Sequence, residues 1–348
     1  MQMGMRHAVR RGCLGLAGLS GVVAFQHVVC SGGLSLRTHC RSAPRALGAI
    51  GGEGVALASS VKSPLYPTTV LVHGLDSSKE TWSGVLSDLS RAGFPAIALD
   101  LRGHGESPMG HPKDFGPEAL ARDVIRAIET QGLAPVVLVG HSMGGRVAMH
   151  VADLVNSAQA VEGGAHLLAA LVIEDMDVAP RPGPAPADSD LSADMRQQLR
   201  GFETEQGRLF ISWDACRKAL LQWYEDKARV DSWFKTRVRP VPGGFWSDIN
   251  PAAHRLARTT ILSSPASSTA WDRLATAPFP IHLWVAGAAG TVCAWEGDGG
   301  IHDMTRRVPG ARTHEFKDAA HSIHNSAREE FVGKLESVIR ASVNPAGR

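Results

Sequence analysis

Gly140-His141-Ser142-Met143-Gly144 sets a serine within a G-x-S-x-G pattern, directly after the apolar run Pro135–Gly140 and before a helical stretch. A sharp strand-to-helix turn forces such a serine into a strained backbone conformation and exposes its hydroxyl at the carboxyl end of a sheet. The helix N-terminus adds backbone N–H groups and a positive dipole end beside it. In a chain with 37 glycines the pattern alone is weak; the strand before it and the helix after it make it a candidate nucleophile. A serine hydroxyl needs a histidine base, and the base needs a carboxylate to hold its tautomer.

The elements that must position this serine follow from hydrophobic periodicity. Thr68–His73, Pro95–Asp100, Pro135–Gly140, Leu167–Glu174, Ile281–Ala286 and Arg312–Lys317 read as strands. Between them, Lys79 to Ala92 and Pro117 to Gln131 carry helical spacing, His141 to Asn156 turns and becomes a helix, and a last helix runs from about Ala327 to Ala341. Alternating strands and helices predict an α/β fold with a doubly wound, mainly parallel sheet. Pro180, Pro182, Pro184 and Pro186 break the pattern as an exposed linker. The chain then divides into an expected core over 53–178 and 277–348 and an inserted, mostly helical cap over 179–276.

Composition narrows the function. Lys and Arg number 36 against 34 Asp and Glu, a net charge of +2 that excludes the basic excess of a nucleic-acid binder. The charge is uneven. Residues 1–52 hold six Arg and no Asp, Glu or Lys, which leaves 30 bases against 34 acids in the rest. An acid-free, Arg- and Ser-containing start has the composition of an organelle transit peptide, and the apolar run Leu14 to Phe25 has about the length of a signal-peptide core. Residues 1–52 are therefore expected to be a targeting leader, disordered or removed, with a plastid or mitochondrion as destination. No other stretch is expected to cross a membrane. Cys13, Cys30 and Cys40 lie in that leader; Cys216 and Cys293 read as ordinary thiols. The late histidines His321 and His324 are three apart, which is not a zinc-helix spacing, and no clustered cysteines accompany them, so no metal or cofactor is expected.

In chain order, His73-Gly74, Asp100-Leu101-Arg102-Gly103-His104-Gly105-Glu106-Ser107, Gly140–Gly144 and Ala320-His321-Ser322-Ile323-His324 resemble the motifs of the α/β-hydrolase superfamily. The likeness covers about residues 66–178 and 278–343. It is most similar to a serine esterase and thioesterase-like branch that includes abhydrolase domain-containing 11 type proteins and plant and bacterial relatives. The resemblance implies Ser142 as nucleophile, the backbone N–H groups of Leu75 and Met143 as oxyanion donors, and His321 as general base, with His324 as the alternative. The family usually has Gly-His where this chain has Ala320-His321.

In most of the superfamily the triad acid follows the strand that matches Ile281–Ala286, but Gly287–Val292 holds no acid. In the branch named above it can follow the strand after the elbow helix, which here runs into Glu174-Asp175-Met176-Asp177. Asp175 aligns best, and Asp177, Glu296 and Asp298 stay open. Asp100 and Arg102 are expected to brace their loop as a charged pair, and His104 to be a satisfied loop histidine.

The chemistry implied is hydrolysis of a carboxylic ester or thioester through an acyl-enzyme. The expected partner is a small-molecule acyl substrate with an apolar group, suited by the cap residues Trp213, Trp223, Trp233 and Trp246. Fold alone leaves C–C bond hydrolysis, acyl transfer, lyase chemistry or a slow-turnover receptor open.

Overall fold

The structure, a computed structural model, describes residues 28–31, 65–162, 167–181, 191–204, 206–224, 227–289 and 291–343. Seven strands form its main sheet: β1 (Val28–Ser31), β2 (Thr68–Val72), β3 (Ala96–Leu99), β4 (Val136–His141), β5 (Leu168–Glu174), β9 (Ile281–Ala286) and β10 (Ala311–Phe316). Their order is β1-β3-β2-β4-β5-β9-β10, parallel throughout except for β1, which pairs antiparallel with β3. Four residues of the basic segment read as a leader are thus paired at the edge of the sheet; the rest of that segment lies outside the described residues.

Side chains alternate across the pleat, so each central strand feeds both faces. Val70, Val72 and Leu138 pack with α2 (Pro117–Thr130), α3 (Met143–Glu162) and α8 (Ala266–Asp272). Leu71, Val137 and Val139 pack with α1 (Ser83–Arg91) and α11 (Arg328–Ala341). Burial on both faces is why β2 and β4 read as uninterrupted apolar runs. Each fully buried Val, Leu or Ile side chain contributes about 1.5–3 kcal/mol.

The chain leaves β2 toward β3 on one side and β4 on the other, so β2 and β4 flank the topological switch point. Open α/β sheets bind ligands beyond the carboxyl ends of the strands at such a point. Leu75 lies just beyond β2 and Ser142 just beyond β4.

Between β5 and β9 the chain builds α4 (Ala193–Phe202), α5 (Trp213–Leu221), α6 (Lys227–Arg237), α7 (Pro251–Ala257), a π-helical turn (Arg258–Leu262) and α8. It also holds a three-stranded antiparallel sheet of β6 (Leu209–Phe210), β8 (Gly244–Ser247) and β7 (Val238–Val241) that periodicity did not predict. Cys216, Leu220, Tyr224, Val230, Val238 and Ile249 form its small separate core. Arg146, fully buried on α3, donates to the carbonyls of Asp177, Ala179, Ile261 and Leu262 and so joins the elbow helix to the π turn. No helix among the described residues is long and apolar enough to cross a membrane.

Buried histidines make the fold acid-sensitive. Burial pushes His73 and His141 down to about 3 and His282 to about 4, and lowers His104 and His150. Below their ordinary 6.5 these rings stay neutral in the folded chain and take up protons when it unfolds, so their contribution is complete above pH 6.5 and lost as pH falls toward 3. The melting temperature is expected to fall steadily from pH 7 to pH 5, before carboxylates titrate. A flat profile by circular dichroism over that range would refute it.

Candidate active site

Ser142 occupies the left-handed region at φ 53, between the last residue of β4 and the first of α3. A non-glycine residue there is strained and persists only where its surroundings fix it. The fixing is visible: Ser142 N–H donates to the Glu174 carbonyl at 2.9 Å. A side chain at Gly140 would strike the Gly144 carbonyl, and one at Gly144 would strike the carbonyl of His73. Both positions require glycine because backbone crosses backbone at the turn.

Met143 opens α3, so its N–H has no acceptor within the helix. Leu75 follows Gly74, whose Cα lies so close to the turn that an added Cβ would be 3.1 Å from Ser142 Cβ. Neither N–H donates to another backbone carbonyl among the described hydrogen bonds.

His321 lies on the loop after β10, partly exposed, and its Nδ1–H donates to Asp175 Oδ2 at 2.6 Å. Asp175 follows β5 at φ 44 and its side chain is fully buried. The last residue of β9 and the loop after it, which holds no acid between Gly287 and Val292, support this one. Asp175 accepts from Ala286 N–H at 3.0 Å and Val292 N–H at 3.4 Å. The Cys293 thiol also bonds Asp175; burial, then Asp175 and Asp177, push that thiol well above its ordinary range, so it stays protonated.

His141 ties the His321 loop to the Ser142 turn. Its Nε2–H donates to the His321 carbonyl at 3.1 Å, and the two rings lie 4.7 Å apart. No hydrogen bond joins the Ser142 hydroxyl to the His321 ring among the described residues. Such bonds are often long until substrate binds.

The other candidates are engaged elsewhere. His324 is buried, donates through Nδ1 to Glu174 at 2.8 Å, and places Nε2 3.0 Å from Thr81 Oγ1. Asp177 accepts from the Ala179 and Ala294 N–H groups and pairs with Arg181. Glu296 is exposed and pairs with His302, and Asp298 is exposed. Asp100 and Arg102 do not pair with one another, contrary to expectation. Asp100 takes Lys79 Nζ at 2.8 Å and the N–H groups of Lys79 and Glu106, whereas Arg102 pairs with Asp123 at 2.5 Å. Nothing in the sequence pointed to Lys79. His104 is buried and only half satisfied, contrary to expectation: Nδ1 lies 3.0 Å from the Arg102 carbonyl, but Nε2 has no hydrogen-bond partner among the described residues. Cys216 and Cys293 are buried and free.

His141, Glu174 and His324 are the described group whose ligand atoms lie near enough, within 4.8 Å, to hold a metal ion. Three of their four ring nitrogens are already hydrogen-bonded, and the fourth, His141 Nδ1, faces Gly74. Burial alone would raise the Glu174 carboxyl, but the His324 and His141 rings and two bonds from His324 outweigh it and hold it lowered. The set reads as a packed polar brace beneath the His321 loop.

The insertion's tryptophans do varied work. Trp246 Nε1–H donates to the Gly105 carbonyl under the Arg208 guanidinium, Trp213 is 37% exposed, and Trp223 packs against the core. Trp271 is fully buried with Nε1–H on the Met304 carbonyl; the side chain of Trp233 lies outside the described ones. Two open clefts in the insertion are lined by residues such as Asp214, Lys218, Phe202 and Phe210, and neither includes Ser142.

A strained serine at a strand-to-helix turn, on a parallel sheet with these connections, defines a hydrolase fold. The profile of the alpha/beta hydrolase family matches residues 69–334, and the chain belongs to that family. Over 91 residues it is 38% identical to protein phosphatase methylesterase 1 of Homo sapiens, which covers 25% of this chain and 24% of that protein. Over 87 residues it is 40% identical to sn-1-specific diacylglycerol lipase ABHD11 of Mus musculus, covering 25% of this chain and 28% of that one. The chain thus spans about a quarter of the length of these curated relatives. Its fold matches the thioesterase domain from the curacin biosynthetic pathway with a TM-score of 0.54 at 17% identity, over 79% of this chain and 92% of that one.

Proposed function

We propose that this chain is a serine hydrolase that cleaves a carboxylic ester or thioester. The observation that carries this reading is the 2.6 Å bond from His321 Nδ1 to the buried Asp175, beside a serine held at φ 53. In the proposed reaction, His321 Nε2 takes the Ser142 proton as the hydroxyl attacks the acyl carbonyl. The N–H groups of Leu75 and Met143 receive the oxyanion, each worth about 3 kcal/mol of barrier. His321 then protonates the leaving alcohol or thiol, and water, activated by the same ring, releases the acid from the acyl-enzyme. The residues assigned to this sequence supply nucleophile, base, acid and oxyanion donors.

The two relatives, a methylesterase and a diacylglycerol lipase by name, support an ester as the bond class. The insertion between β5 and β9 acts as the cap that selects an apolar acyl group. The acid-free, Arg-bearing start supports an organellar destination.

The test is a fluorophosphonate probe on the full chain, competed by p-nitrophenyl esters and acyl thioesters of graded length. Labelling that is displaced by turned-over esters is expected. Folded protein that neither labels nor turns over would favour a ligand-binding receptor on the same fold.

A further inference from the structure

Among the described residues three non-glycine positions have positive φ: Ser142, Asp175 and Asp76 at φ 53. The first two are the proposed nucleophile and acid. The third has no part in the triad, yet it lies one residue beyond Leu75, whose N–H is a proposed oxyanion donor. Strain of this kind is retained where surrounding contacts over-determine it.

The insertion supplies contacts of this kind. The Asp76 side chain is 2% exposed. Its Oδ1 accepts from the Tyr224 hydroxyl at 3.0 Å and its Oδ2 from His254 Nδ1 at 2.9 Å. Tyr224 follows α5 and His254 lies on α7; their rings meet edge to face at 5.2 Å. Arg237, at the end of α6, reaches Ser78 Oγ in the same loop at 3.4 Å. A buried carboxylate that loses its donors is costly, so the loop keeps this conformation while the insertion is seated.

We infer that Asp76 is a positioning residue that makes the oxyanion donor at Leu75 depend on the seating of the insertion. If the insertion lifts, Asp76 loses the donors of Tyr224 and His254, the left-handed turn relaxes and the Leu75 N–H swings off target. The inference rests on the proposed hydrolase reading. It assigns to Tyr224 and His254 the role of transmitting closure of the insertion to the catalytic centre.

Asp76→Gly separates the contacts from the strain, because glycine keeps positive φ without the carboxylate. In the full chain, kcat and the rate of fluorophosphonate labelling are expected to fall about 10- to 100-fold, with KM changed less than about threefold. Asp76→Asn, which tolerates the same backbone and keeps an acceptor, should recover most of the loss. Tyr224→Phe should lower kcat alone but add little in the Asp76→Gly background. A folded Asp76→Gly variant with kcat within twofold of the parent would overturn the inference, as would equal and independent losses from Tyr224→Phe in both backgrounds. Failure of the parent itself to label or turn over would instead count against the hydrolase reading.

Discussion

Ser142→Ala is expected to abolish fluorophosphonate labelling and to lower kcat by roughly 10⁴- to 10⁶-fold, and His321→Ala to do nearly the same. The size follows from the geometry. Without the hydroxyl no acyl-enzyme forms. Without the ring, the serine keeps its ordinary high pKa and is a poor nucleophile. The two residues act as a unit, so the double variant should be little worse than either single one. Activity left over water would come from the donors at Leu75 and Met143 and from substrate binding. Ser142→Ala should disturb folding little, whereas His321→Ala also takes a donor from the buried Asp175 and should lower the melting temperature. Ser142 and His321 are both partly exposed, and no side-chain hydrogen bond of Ser142 stands to be lost among the described ones. Replacing serine by alanine does keep a Cβ in the left-handed region, so Ser142→Gly is the control for strain. Measured kcat for the two single variants and the double variant, with melting temperatures, checks the set. Multiplicative losses in the double variant would separate Ser142 from His321 and sink the shared mechanism.

Much of the core was legible because its strands are buried on both faces. Ile281–Ala286 emerges with the bounds expected from its residues, β2 and β5 differ by one residue at one end, and β4 is displaced by one residue at both ends. The elbow was legible for a different reason: crossing backbones demand glycine at 140 and 144, and that demand is written as a motif. The insertion was less legible. Val238–Val241 and Gly244–Ser247 form a hairpin around Pro242-Gly243, with Gly243 at φ 95 and Gly244 at φ 151. Turn glycines between two β-rich runs could have revealed it. Pro240 obscured the signal, although β7 is an edge strand, where proline is tolerated.

Side-chain pairing was the least legible. Lys79 meets Asp100 across 21 positions, and Asp76 meets Tyr224 and His254 across 148 and 178. No local period encodes such contacts; the fold creates them. Glu174 lay between these extremes. A carboxylate closing an apolar strand beside a second acid asks for a partner, and the fold supplies His324.

Asp175→Asn is expected to lower kcat by about 10⁴-fold while leaving KM nearly unchanged. Asparagine suits the left-handed backbone at φ 44, so the change is electronic more than conformational. The carboxylate now accepts at both oxygens: Oδ1 from Ala286 N–H, and Oδ2 from Val292 N–H and His321 Nδ1–H. An amide has one oxygen. If it stays on Ala286, its NH₂ faces His321 Nδ1 and the Val292 N–H. The ring must then turn its bare nitrogen to the amide and carry its proton on Nε2, where it cannot take the proton of Ser142. If the amide flips to serve His321, the NH₂ meets the Ala286 N–H in a buried site, a clash of donors that costs about 1–3 kcal/mol. Either way the base is disarmed or the loop after β9 is pushed away. Asp177→Asn supplies the contrast. Asp177 holds the Ala179 and Ala294 N–H groups and Arg181, so its loss should lower the melting temperature but leave kcat of the folded protein within about tenfold. Steady-state kinetics on both variants decide the matter: a folded Asp175→Asn protein within tenfold of the parent would mean that His321 draws its orientation from another group.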